Sequence, residues 1–193
     1  ILKGFTGTII LLLLPVILFA QGFSFKLYSV SDGLTGTSVH IPFQDSNGYL
    51  WVGTTSGLSR FDGKQFVNFS LEDGLPSLNI GKIFQDSKGR LWIGTVTGAA
   101  QFKKNRFVTY PFNDDFQNPY VFGFTETKDK RLWVLTSRGV YEFKDHFWEK
   151  IFLCKGYENT ACRNVVEKDG ELFVCYPHDI VCRNKDGIWL HIA

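Results

Sequence analysis

The chain has 193 residues, with 21 basic and 19 acidic side chains, a formal net charge of +2 and 44% hydrophobic residues. So small a charge, without long basic clusters, argues against a nucleic-acid-binding surface. We therefore expect no nucleic-acid partner.

The N-terminal segment, residues 1–20, has the pattern of a secretory signal peptide. Lys3 precedes the apolar run Ile9–Phe19, and the small residue Ala20 follows it. The run has about eleven residues, fewer than the roughly 20 that a membrane-spanning helix needs, and it contains Pro15. We predict cleavage after Ala20 and export of the rest, with an uncleaved anchor as the alternative.

Residues 21–193 form a tandem array with a period of 41 residues. Trp51, Trp92 and Trp133 stand at this interval, and Asp45-Ser-Asn-Gly-Tyr-Leu-Trp-Val-Gly-Thr54 returns as Asp86-Ser-Lys-Gly-Arg-Leu-Trp-Ile-Gly-Thr95. Such a period allows helix pairs or four-stranded blades, and short apolar runs separated by turn signals favour strands. We predict an all-β chain, a β-propeller with four four-stranded blades at about 30–70, 71–111, 112–152 and 153–193.

The fourth strand of each unit is marked by aromatic residues that keep the same interval. They are Phe25, Phe66, Phe107, Trp148 and Trp189. The chain thus has five predicted fourth strands but only four sets of first, second and third strands. The extra strand, at about 23–29, is predicted to close the ring by completing a further blade downstream. The predicted ring is therefore incomplete, and we interpret the chain as part of a longer protein.

Aromatic residues that recur in every unit are predicted to pack blade on blade. This structural set comprises Trp51, Trp92, Trp133, Phe66, Phe107, Trp148 and Trp189. The alternative, a platform for stacking sugar rings, is disfavoured because the residues are periodic.

Two turn motifs also recur. Asp45 and Asp86 begin tight turns, where we predict side-chain caps rather than calcium loops, because further oxygen ligands are missing and the third unit has Thr127 in this place. In the links between blades, Gly33 and Gly74 are predicted to have a positive φ and the leucine after each to fill the seam.

The loops of the third and fourth units differ most from the pattern, and a ligand site is predicted there. Phe116, Tyr120 and Tyr157 lie on links between units and His178 on a turn between the second and third strands, and both kinds of loop emerge on one face around the axis. The alternative is loop drift without a function. Acid–base chemistry by Asp114, Asp115 and His178 is a further alternative, but no nucleophile or phosphate-binding motif is present, so we predict no catalytic residues and no cofactor.

All four cysteines fall in the fourth unit: Cys154, Cys162, Cys175 and Cys182. An exported chain makes one or two disulfides plausible, and the spacing leaves the pairing open. Free buried thiols are the alternative. A zinc site is disfavoured because no Cys-x-x-Cys pair occurs, and we predict no metal.

The segments Gly48–Gly63 and Ser31–Leu34 closely resemble the two-component regulator propeller repeat family. The resemblance covers the first two units well, the third partly and the fourth by register. Proteins similar to these repeats are periplasmic sensor regions of hybrid two-component histidine kinases of Bacteroidetes-type bacteria. The third and fourth units depart from the family pattern: Leu135 stands where the pattern has glycine, and Phe173 where it has tryptophan.

The resemblance implies a non-catalytic sensor propeller that detects a ligand, often an oligosaccharide, and passes the signal to a histidine kinase elsewhere in the same polypeptide. It implies a periplasmic location, tethered to the inner membrane through a downstream segment. A homodimer is our further hypothesis. The alternatives are a secreted or surface propeller that acts as a binding scaffold without a kinase, and a propeller enzyme.

Overall fold

The computed structural model describes residues 25–113, 118–151, 156–157 and 159–192. The predicted signal segment, residues 1–20, lies outside them. The described residues form sixteen strands in four separate antiparallel sheets of four strands each. This confirms the predicted all-β architecture of four propeller blades.

The strands of each blade follow one another in chain order across the sheet. Blade 1 contains β1 Val39–Gln44, β2 Leu50–Thr54, β3 Gly57–Phe61 and β4 Phe66–Phe69. Blade 2 contains β5 Ile80–Gln85, β6 Leu91–Thr95, β7 Gly98–Lys103 and β8 Arg106–Thr109. Blade 3 contains β9 Val121–Glu126, β10 Leu132–Thr136, β11 Gly139–Lys144 and β12 Phe147–Ile151. Blade 4 contains β13 Asn164–Lys168, β14 Glu171–Cys175, β15 Ile180–Arg183 and β16 Trp189–Ile192.

The predicted closing segment is not part of any strand among the described residues. Phe25 and Leu27 are 92% and 87% exposed, and the ring of Tyr28 lies 4.9 Å from that of Phe61 and 5.6 Å from that of Phe66. The predicted partner is a blade beyond these four, so ring closure by this segment stays a prediction.

The blades pack on one another through three buried clusters, one at each blade interface. Trp51 packs with Ile80 and Ile93 of blade 2, and Trp92 packs with residues of blade 3 in the same way. Trp133 lies in the third cluster with Val174 of blade 4. Phe107 and Trp148 are also buried, whereas Phe66 and Trp189 are partly exposed.

The turn between the first two strands holds the central tryptophan through an aspartate. Asp86 Oδ1 accepts hydrogen bonds from the backbone N–H groups of Lys88 and Arg90 at 3.0 and 2.9 Å. Its Oδ2 accepts from Trp92 Nε1 at 2.9 Å and from Arg90 Nε at 2.6 Å. Asp45 accepts from Trp51 Nε1 at 2.8 Å in blade 1. Each aspartate therefore caps its turn and also satisfies a buried indole N–H.

The link from blade 1 to blade 2 needs a glycine. A 3₁₀ turn at Leu71–Asp73 is capped by Ser70 and ends at Gly74, whose φ is 93°. A Cβ atom on Gly74 would lie 2.2 Å from the carbonyl oxygen of Phe107. The next residue, Leu75, is 4% exposed in the cluster between blades 1 and 2.

In blades 2, 3 and 4, a polar residue near the end of the first strand contacts the turn of the preceding blade. Gln85 Oε1 accepts from the backbone N–H of Ser46 at 2.8 Å. Glu126 accepts from the N–H and hydroxyl of Ser87 at 3.0 and 2.8 Å. Glu167 accepts from the N–H of Lys128 at 3.1 Å. These bonds join neighbouring turns outside the apolar clusters.

Candidate ligand-binding site

The links between blades and the turns between second and third strands emerge on one face, which we call the upper face. A cleft there has a volume of about 540 Å³ and lies between blades 2 and 3. Its walls include Leu75, Pro76, Thr97, Tyr110 and Phe112. Apolar walls with backbone and hydroxyl groups between them suit a small polar ligand with an apolar side.

Tyr157 lies in an aromatic cluster on the upper face of blade 4. Its hydroxyl donates to Asp179 Oδ2 at 2.6 Å. Its ring stacks on Tyr176 with the centroids 4.3 Å apart, and the His191 ring lies 5.8 Å away. The hydrogen bond fixes the hydroxyl and the stack fixes the ring, so this side chain is a positioned group and not a freely rotating one.

A second group lies at the inner edge of the array, where the first strands begin. The register of the first strand shifts between Val39 and Ile41 in blade 1 and at the matching points of blades 2 and 3. The residue that the shift leaves unpaired in blade 3 is Phe122, and bulges of this kind redirect side chains. The Arg163 guanidinium lies 4.2 Å from the centre of the Phe122 ring. Together with Lys82 they line a cleft of about 370 Å³.

Of the four predicted ligand residues, the three that the structure describes have different surroundings. Tyr120 is 40% exposed, its ring lies 4.8 Å from that of Phe122, and its backbone pairs with Ser137. Tyr157 belongs to the cluster with Tyr176. His178 is exposed and is the sequence neighbour of Asp179, the acceptor for Tyr157. Phe116 lies outside the described residues.

The described cysteines are free thiols. Cys162 and Cys182 are buried and Cys175 is partly exposed. Burial raises the pKa of the Cys162 thiol to about 12, and the nearby Cys175 adds to the effect. Cys154 lies outside the described residues, so a disulfide that includes it stays a prediction.

In the part of the chain that the structure describes, no group of three or more His, Cys, Asp or Glu side chains could hold a metal ion. Asp114 and Asp115, the acids of the alternative catalytic hypothesis, lie outside it. What the described upper face offers is recognition chemistry: aromatic faces, one fixed hydroxyl and the cations Lys82 and Arg163.

Sequence reasoning missed two features of this face. The pairing of Tyr157 with Asp179 joins a link to a turn about 20 residues away, and nothing in the spacing signals it. Phe122 and Arg163 could have been found because they occupy one repeat position, 41 residues apart, at which blades 1 and 2 have His40 and Gly81.

The comparisons with known proteins agree with the fold. The sequence model of the two component regulator propeller family matches residues 33–56 and 74–97. Histidine kinase P4 of Formosa agariphila is 43% identical over 65 residues, which are 33% of this chain and 5% of that protein. Among the residues that the structure describes, no helix is long and apolar enough to cross a membrane.

Two solved structures are also similar. The extracellular domain named for the hybrid two component system BT3049 from B. thetaiotaomicron has a TM-score of 0.71 at 22% identity, over 87% of this chain and 26% of that one. A virginiamycin B lyase from Staphylococcus aureus has a TM-score of 0.60 at 15% identity, over 81% of this chain and 55% of that one. At such identities the likeness shows the fold, and the chain spans only a small part of the sensor proteins that it matches. With the family match in its first two units, the chain carries two-component regulator propeller repeats, as its sequence predicts.

Proposed function

We propose that the chain is a non-catalytic, extracytoplasmic sensor region of a two-component signalling protein. The observation that carries this proposal is the 43% identity over 65 residues with a histidine kinase. The fold shared with an extracellular domain of a hybrid two component system supports it. In this proposal the chain is exported by its N-terminal signal, lies in the periplasm and is tethered to the inner membrane by another part of the same polypeptide.

The upper face is the proposed contact surface for the ligand, and the ligand class is an oligosaccharide or a similar polyol. Tyr157 supports this because its ring is accessible in part and its hydroxyl is held by Asp179. Tyr120 and Phe116 are proposed to contribute from the link between blades 2 and 3, and His178 from the turn between β14 and β15. Hydroxyl-rich ligands need fixed hydrogen-bond partners beside aromatic faces, and this face provides both.

In this proposal, the signal is a change in how two copies assemble, and the propeller itself catalyses no reaction. Ligand binding between blades or between two copies would change the geometry of a homodimer, which a histidine kinase in the same polypeptide would sense. A ligand can shift such an equilibrium only by its difference in affinity for the two arrangements.

The test uses the full-length polypeptide that contains this chain, reconstituted in membrane vesicles. Autophosphorylation from labelled ATP is measured with and without a panel of oligosaccharides made by partial hydrolysis of plant and algal polysaccharides. We expect at least one oligosaccharide to change the rate, and Tyr157→Phe to weaken the response. Tyr49→Phe, in a turn on the opposite face, is the matched control and should respond normally.

A polypeptide without a kinase would overturn the signalling proposal and leave a surface binding scaffold. A kinase whose rate no oligosaccharide changes would overturn the proposed ligand class.

A further inference from the structure

Blade 3 lacks the carboxylate that holds the central tryptophan in blades 1 and 2. Thr127 stands where Asp45 and Asp86 stand. Its hydroxyl accepts from the backbone N–H of Arg131 at 3.1 Å and donates to Asp129 Oδ1 at 2.6 Å. Threonine therefore keeps part of the turn cap, but it is too short to supply the second carboxylate oxygen that the tryptophan needs.

The indole of Trp133 is left without a hydrogen-bond partner. Trp133 is 4% exposed, and its Nε1 is buried and unpaired among the described residues. The equivalent atoms of Trp51 and Trp92 each donate to a carboxylate. A buried donor without an acceptor destabilises the fold, so an acceptor that reached this atom would be bound favourably.

The arginine of this turn is also redirected. In blade 2, Arg90 Nε donates to the buried Asp86. In blade 3, Arg131 Nε donates instead to Asp129 at 2.7 Å, and both side chains are about half exposed. Arg131 still lies over its tryptophan, 5.4 Å from the ring of Trp133, as Arg90 lies 5.3 Å from that of Trp92. The guanidinium therefore stays in place. Its hydrogen-bond partner Asp129 is an exposed acid that is easily displaced, and the buried Glu142 lies 3.9 Å from its Nη1.

A cleft of about 440 Å³ opens at this point between blades 3 and 4. Its walls include Thr127, Arg131, Trp133, Arg183 and Gly187. Four cations and four carboxylates border it, so the cleft as a whole is balanced in charge, and the two arginines stand on its two sides. Its volume is sufficient for one or two sugar-sized rings.

We propose that this cleft binds a carboxylate, which takes at Trp133 the position that Asp45 and Asp86 take in the other blades. One carboxylate oxygen accepts from Trp133 Nε1, and Arg131 and Arg183 supply the positive charge. Because Nε1 is buried, side chains at this end of the cleft have to shift as the ligand enters, and the ligand replaces Asp129 as the partner of Arg131. The chemical class is a small organic acid or the acidic ring of a saccharide.

The blade 2 turn supports this ligand class in preference to a neutral polyol. There, the same set of an indole N–H, an arginine and turn amides surrounds a single carboxylate. Charge-assisted hydrogen bonds of this kind are about twice as strong as neutral ones. This inference concerns binding alone, at a different cleft from the upper face, and it holds or fails independently of the proposed signalling role.

The test follows the indole N–H resonances of the full chain by ¹H–¹⁵N NMR. The chain has five tryptophans, and Trp133→Phe identifies the Trp133 signal. Acetate and glucuronate are added as probes, with chloride and glucose as controls at matched ionic strength and concentration. We expect the Trp133 signal to move downfield in a saturable way with acetate and glucuronate, and to stay in place with chloride and glucose.

Thr127→Asp places the chain's own carboxylate at the site. In this variant the Trp133 signal should lie downfield without any probe and should no longer respond to acetate. Thr127→Ser, which keeps the hydroxyl, should respond like the wild type. This pair also identifies the signal if Trp133→Phe fails to fold.

A Trp133 signal that does not move with acetate or glucuronate would overturn the proposal. A Thr127→Asp variant that responds like the wild type would overturn it too. A movement that chloride reproduces would show a general salt effect instead of a carboxylate site.

Discussion

Leu135 lies in the same cluster as Cys162, and this pair has the opposite order of side-chain sizes from the equivalent pair one blade earlier. There, Gly94 is the small residue and Val121 is the large one. A Cβ atom on Gly94 would lie 2.6 Å from Val121 Cγ1, so the glycine makes room for the valine of the next blade. In blade 3 the strand residue is the large Leu135, and the residue from the next blade is the small Cys162. Both are buried in one cluster, and the N–H of Cys162 donates to the carbonyl of Thr136 at 3.0 Å. The large side chain of one residue thus compensates for the small side chain of the other at this interface.

The first prediction concerns variants that give positions 135 and 162 the small and large side chains of the equivalent pair in the preceding blade. Leu135→Gly should lower the free energy of unfolding by about 3–5 kcal/mol, because it leaves a cavity. Cys162→Val should lower it by about 1–3 kcal/mol, because the site is already filled. In the double variant the valine fills the space left by the leucine, so the loss should be smaller than the sum by about 1–3 kcal/mol. Urea unfolding of the four proteins measures the coupling, and additive losses would contradict the volume exchange.

The second prediction concerns alkaline pH. The pKa of Cys162 is raised to about 12 by burial, above its ordinary value of 9.0. The protonated thiol therefore contributes stability that is complete below pH 9 and is lost as the pH rises toward 12. Relative to Cys162→Ala, the wild type should lose unfolding free energy above pH 9 by up to about 1.4 kcal/mol per pH unit. Urea unfolding of both proteins from about pH 8 to about pH 10.5 measures this, and parallel pH curves would contradict it.

The third prediction removes the acceptor of the central tryptophan in blade 2. Asp86→Ala leaves Trp92 Nε1 and two turn N–H groups without their carboxylate, in a site that is 4% exposed. We expect a loss of about 3 kcal/mol in unfolding free energy. Asp62→Ala, which removes an exposed acceptor of two turn N–H groups, is the control and should cost much less. Equal losses in the two variants would show that the indole bond adds nothing.

The fourth prediction separates backbone strain from close approach at two glycines. Gly74 and Gly89 have φ angles of 93° and 75°, so alanine at either is strained. Only at Gly74 would the new Cβ meet another group, the carbonyl of Phe107 at 2.2 Å, whereas Gly89 has open space. Gly89→Ala should cost about 1–2 kcal/mol, and Gly74→Ala about 1–3 kcal/mol more. Thermal unfolding of both variants tests this, and similar melting temperatures would mean that the link moves aside.

The repeat pattern predicts most of the fold. The 41-residue interval of Trp51, Trp92 and Trp133 predicts the blades, and the glycines at 33 and 74 predict the links, because these features are local and periodic. The bond of Tyr157 to Asp179 and the bulge at Phe122 depend on how separate segments meet, which spacing does not encode. The change from Asp to Thr at position 127 is visible in the sequence. Its consequence for the indole of Trp133 needs the structure, because it depends on where Nε1 points.

The backbone bonds from the preceding turns to Gln85, Glu126 and Glu167 run in one direction along the chain. In each, a backbone N–H of the earlier blade donates to a side-chain oxygen of the later one, and Gln85 also donates back from Nε2 to Ser46 Oγ at 3.0 Å. The two sides of a blade therefore carry different hydrogen-bonding groups, and neighbouring blades join head to tail through them. Such heterologous contacts produce either a closed ring or an open filament, and they exclude a twofold pairing of identical blade faces through these groups. Gln44 has the same position in blade 1, so a blade that docked on that side in the same way would present a turn N–H to its side-chain oxygen.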